Sequence, residues 1–70
     1  MKRFKEFNNN IVSQMKNPDI RYGQAVFNAI ELIDPEFANT IRGTEHDCYY
    51  DDEKVSVVVN LLGTRWVNSY

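Results

Sequence analysis

Four polar side chains, Arg21, Gln24, Asn28 and Glu31, recur in this sequence at spacings of three, four and three residues. That rhythm places them on one face of an α-helix. A guanidinium and two carboxamides suit planar, bidentate recognition of phosphate oxygens or base edges. The plain alternative is a solvated helix face. Arg42 can join such a site or complement the negative end of its own helix.

A second group, "EHDC" at 45–48, collects two carboxylates, an imidazole and a thiol. His46 and Cys48 are two ligands where a structural zinc site needs four. "DCYYDDE" lacks the spacing of a calcium loop. A Cys–His nucleophile needs a base positioned in space, which sequence neighbours seldom supply. Cys48 is therefore expected to be a half-buried loop thiol. The acidic run Asp51, Asp52 and Glu53 suits a helix N-terminus or, alternatively, a docking surface for a basic partner. Tyr49, Tyr50, Trp66 and Tyr70 are candidate exposed aromatics, the kind of residue that anchors interfaces. "IRGT" at 41–44 lacks the full phosphate-loop pattern, and helix capping accounts for Gly43.

Several elements must position these groups. Phe4, Phe7, Ile11, Val12 and Met15 fall at helical spacing and predict an amphipathic helix over about 3–16. Asn17-Pro18 ends it, and Asp19 is expected to cap the next helix. That second helix, about 20–33, is apolar over most of its circumference, leaving a polar arc about 80° wide that holds the four recurring residues. A helix of this kind is central, and Gly23 within it predicts close approach of another backbone. Asp34 as N-cap, Pro35 at N1 and Gly43 after the end define a third helix over 35–42, with Phe37, Ala38 and Ile41 buried. "VSVVVNLL" is rich in β-branched residues, yet Val55, Val58, Val59, Leu62 and Trp66 share one helical stripe. A fourth helix over about 52–62 is expected, stopped by Gly63 and followed by a partly ordered tail.

Seventy residues allow one domain, 1–70, with a modest core. A lone cysteine precludes an intrachain disulfide and agrees with a reducing compartment. With disulfide and zinc set aside, tight packing or self-association must supplement the core, and a homo-oligomer is expected. Net charge of −2 argues against duplex DNA as a partner. No apolar run approaches a membrane span or a signal core, so a bacterial cytoplasmic location without membrane attachment is expected.

Three segments, "RYGQAVFNAI", "IDPEFANTIRGT" and "YYDDEKV", carry a resemblance over about residues 20–55. The chain resembles a family of small bacterial and phage proteins with the pattern R-[FY]-G-Q-x-x-F-N, D-P-E-x-A-N-x-I-R-G-T, D-x-[FY]-x-D-D and K-[IV]. No activity comes with the pattern, and Cys48 stands where it has proline, so the resemblance assigns the thiol no role. Its polar members fall on Arg21, Gln24, Asn28, Asn39, Arg42, Thr44, Asp51 and Asp52. The resemblance implies a mobile-element setting, in which small proteins act by binding.

The expectation is thus an all-α, single-domain bundle of three to four short helices. It is read as a non-enzymatic, cofactor-free accessory or counter-defence protein that neutralises a host component. In the first form it sequesters a small phosphorylated, nucleotide-type ligand through Arg21, Gln24, Asn28, Asn39, Arg42 and Thr44. In the alternative it inhibits a host enzyme through the 45–53 loop, with Tyr49, Tyr50, Asp51 and Asp52 in contact.

Overall fold

In the computed structural model of the protein the described residues are 2–68. They form four α-helices, α1 (Lys2–Gln14), α2 (Tyr22–Ile33), α3 (Pro35–Ile41) and α4 (Val55–Asn68), and no strand. A single 3₁₀ turn, Asp52–Lys54, leads into α4. No helix among the described residues is long and apolar enough to cross a membrane.

The central position expected of the second helix is observed. Ala25, Val26, Phe27, Ala29 and Ile30 of α2 are buried, and α1 and α3 pack against it. α1 contributes Phe7 and Ile11, α3 contributes Phe37, Ala38 and Ile41, and α4 contributes Val55, Val58, Leu62 and Trp66. Phe4 and Phe7 meet the indole of Trp66 edge-on, with ring centroids at 4.6 and 5.5 Å. Such edge-to-face pairs add to the stabilisation from burial alone.

Four expectations need correction. Helix α4 does not stop at Gly63 but runs through it to Asn68. Gly63 lacks the positive φ of a terminating glycine, whereas Gly43, with φ of 74°, has it. Trp66 is consequently a fully buried core residue and not an exposed anchor; Tyr70 lies outside the described residues. Val12 and Met15 are both exposed, Val12 because it is turned about 100° from its buried neighbour Ile11 and Met15 because α1 ends at Gln14. Finally, Asp19 does not cap α2. Its backbone N–H is taken by Asn17 Oδ1, and Arg21 occupies the N-cap position without a side-chain bond.

The cap of α2 comes instead from far along the chain. Asp52 Oδ1 accepts from the Gly23 N–H at 2.8 Å, so the start of the 3₁₀ turn seals the start of α2. A Cβ on Gly23 would run into the Cys48 carbonyl and lie 2.7 Å from the same Asp52 oxygen. The close backbone approach inferred from that glycine is the crossing of this loop.

Asp34 ties the bundle together at the α2–α3 corner. Its carboxylate accepts from Phe37 N as the N-cap, from Arg65 Nε and Nη2 at 2.7 and 3.1 Å, and from Trp66 Nε1 at 2.9 Å. The Arg65 hydrogen bonds are the largest cause that holds its pKa down to about 2; burial opposes them, and the Trp66 and Phe37 donors assist. The same pairing raises the pKa of Arg65, whose guanidinium also lies over the Phe37 ring.

Candidate functional site

The loop after α3 is wired by its own short polar side chains. Asp47 Oδ2 accepts from Gly43 N and Oδ1 from Tyr49 N, at 2.8 and 2.9 Å. The Thr44 hydroxyl donates to the Ile41 carbonyl and accepts from His46 N. Cys48 is fully buried rather than half-buried, and its thiol donates to the Gly23 carbonyl at 3.4 Å. Desolvation by burial pushes this thiol up to about 11, leaving it almost entirely protonated and a poor nucleophile near neutral pH.

With the loop pinned at Cys48, the next residue lies against α2. The Tyr49 ring meets Phe27 edge-on at 5.8 Å, its hydroxyl accepts from Gln24 Nε2 at 3.1 Å, and its carbonyl accepts from Arg21 Nη2 at 3.4 Å. Tyr50 stacks edge-on against Tyr49 at 4.7 Å but stays 78% exposed. On the α3 side, the Arg42 guanidinium lies 5.2 Å from the centre of the Phe27 ring and pairs with Glu31 at 3.0 Å. Both members of that pair are about half exposed, so it contributes at most about 1 kcal/mol to folding.

These groups surround an open cavity of about 400 Å³ lined by Phe27, Asn28, Glu31, Arg42, Asp47, Tyr49 and Tyr50. A second hollow of about 320 Å³ shares Asn28 and Glu31 and reaches Leu32. Asn28 donates to Gln14 Oε1 at 3.0 Å, and Gln14 in turn donates to the Ala25 carbonyl, which joins α1 to the rim. The charged lining is Glu31, Asp47 and Arg42, a net negative set, and the flanking stretch adds Glu45, Asp51, Asp52 and Glu53.

The expected site residues therefore separate. Asn28, Arg42, Tyr49 and Tyr50 meet at one cavity. Arg21 and Gln24 stand behind it, holding Tyr49 in place. Asn39 is exposed on α3, Thr44 belongs to the turn, and neither lines the cavity. Asp51 caps the 3₁₀ turn by accepting from Glu53 N at 3.0 Å, and Asp52 caps α2. Phe27, Glu31 and Asp47 complete the lining: Glu31 is the fourth member of the recurring stripe, Asp47 lies in the "EHDC" segment of the 45–53 loop, and Phe27 is an apolar position that gives no sign of a site by itself. Among the described residues no group of three or more His, Cys, Asp or Glu side chains could hold a metal ion. No protein-family model, curated protein or solved structure matches the chain.

Proposed function

We propose that this is a non-catalytic binding protein whose cavity between α2, α3 and the 43–51 loop receives a basic side chain projecting from a host protein. The observation that supports this reading is the lining: an exposed tyrosine stands beside two carboxylates, within the most acidic part of the chain. A guanidinium or ammonium is favoured both over an aromatic face and next to carboxylates. The mobile-element setting implied by the resemblance makes a host enzyme or regulatory protein the natural target, neutralised by occlusion. Capture of a phosphorylated ligand has less support. Two of the six residues assigned to it line the cavity, and a phosphate there would face a net negative lining of Glu31, Asp47 and Arg42.

The test pairs native mass spectrometry of protein purified from a bacterial host with cross-linking in host extract. It is run on the wild type and on Tyr50→Ala, Glu31→Lys and Asn39→Ala. The expected result is a protein without small-molecule mass that captures one partner, with capture lost in the first two variants and kept in the third. Extra mass that vanishes on denaturation would overturn this reading in favour of a small ligand. Capture indifferent to both cavity substitutions would overturn the assignment of the surface.

A further inference from the structure

Helix α4 buries Val55, Val58, Leu62 and Trp66 on one side, yet its opposite side is not the charged surface expected of a helix on a small soluble bundle. Ser56, Val57, Asn60, Leu61, Thr64 and Val67 form an outward row without a charged side chain, in a chain of which 26% is charged. Val57, Leu61 and Val67 are 46%, 38% and 56% exposed. An uncharged helix face that exposes three large apolar side chains beside three neutral polar ones has the composition of a contact surface.

Gly63 is a second, independent observation. It lies at the edge of this row in the interior of a helix, where glycine costs about 1 kcal/mol relative to alanine. At Gly23 the reason for glycine is visible, because a Cβ would strike the crossing loop. At Gly63 a Cβ would meet nothing within 4 Å. Within the single chain the absent side chain serves no contact. Against a second helix it permits close approach of the two backbones. The Thr64 hydroxyl already donates back to the Asn60 carbonyl and can be covered as it stands, while the Ser56 hydroxyl and the Asn60 carboxamide are left to bond across the contact.

We propose that this row is the contact of a homodimer, α4 against α4 of a second copy about a two-fold axis. A second copy fits because the row is neutral: it meets itself without juxtaposing like charges, although the protein carries a net charge of −2. From Ser56 to Val67 the row is about 17 Å long, and a helix face of that length buries on the order of 400 Å² per copy. That is near a tenth of the 4559 Å² surface, the share a small protein commits to a specific interface. The total, about 800 Å², lies below the range of stable specific interfaces and in that of transient ones, so the dimer is weak and concentration-dependent.

Sedimentation equilibrium of the intact chain over roughly 1 to 500 µM tests this, a range that spans weak specific affinities. Asn60→Glu and Val57→Glu each set like charges face to face across the axis. Both positions are exposed, so the helical circular dichroism should persist. The expected result is a monomer–dimer equilibrium in the wild type that weakens at least tenfold in both variants, the order of a like-charge clash. A wild type that stays monomeric throughout the range, or an equilibrium unchanged in both variants, would overturn the proposal.

Discussion

Replacing Asp34 with asparagine should be the most damaging conservative substitution in the chain. The amide keeps an N-cap acceptor of good quality, so α3 itself is little affected. The other consequences are larger. With Oδ1 kept as the N-cap acceptor, the NH₂ group replaces Oδ2, and Arg65 Nε and the buried Trp66 N–H both lose the acceptor they share. A buried donor left without a partner costs about 1–3 kcal/mol. The lost charge adds a separate amount. Depression of the Asp34 pKa from 3.8 to about 2 corresponds to about 2 kcal/mol at 1.36 kcal/mol per unit. These two quantities overlap, because the same hydrogen bonds lower the pKa, so the expected loss at neutral pH is about 3 kcal/mol. For 70 residues the whole stability is about 4 to 10 kcal/mol, so the change is easily measured by urea unfolding. The pH dependence isolates the charge. The native-state pKa lies below the unfolded value, so this stabilisation is complete above about pH 4 and is lost as pH falls toward 2. The gap between wild type and Asp34→Asn should therefore narrow by about 2 kcal/mol between pH 5 and pH 2. Parallel curves over that range, or a variant within about 0.5 kcal/mol of wild type at pH 7, would refute the role assigned to this corner.

Three other expectations follow from particular contacts. Gly23→Ala should destabilise by more than about 2 kcal/mol in the same urea assay, because the new methyl strikes the Cys48 carbonyl and the Asp52 cap together, and backbone cannot yield cheaply. Cys48, with its pKa near 11, should react with a disulfide reagent at pH 8 about a hundredfold more slowly than the urea-unfolded chain; equal rates would show that the loop is not closed over it. Tyr49→Phe removes the acceptor for Gln24 and should cost about 1 kcal/mol while Tyr50 keeps its exposure, measured by urea unfolding and by tyrosine reactivity.

Most of the architecture could be read from local rules. The four helices, the Asp34 cap, the Gly43 terminus and the stripe that turned "VSVVVNLL" into a helix all depend on residues within a turn or two of one another. What could not be read depends on pairs far apart in sequence. Asp34 with Arg65 and Trp66, and Asp52 with Gly23, are each about thirty residues apart. The Asp34 clasp explains the misread end of α4. Judged locally, a glycine followed by "TRWVNSY" is a helix stop and a tail. Two side chains of that segment are instead anchored on a carboxylate at the opposite corner, and the helix continues because its end is held.

The same distinction decides the meaning of the polar stripe on α2. Its four residues face three different elements. Arg21 and Gln24 bond to Tyr49 in the loop, Asn28 to Gln14 of α1, and Glu31 to Arg42 beyond α3. A polar arc on a central helix is thus the seam along which its neighbours close, with Gln24 and Asn28 half-buried and Arg21 and Glu31 exposed at its two ends. The seam is not uniform along its length. Its first half bonds to Tyr49 and acts structurally, so substitutions of Arg21 or Gln24 should act only through the position of that residue. At Asn28 and Glu31 the loop and α3 diverge and the cavity opens. A single periodic pattern in the sequence therefore contains a half that holds Tyr49 and a half that borders the cavity, and only the path of the loop after Gly43 separates them.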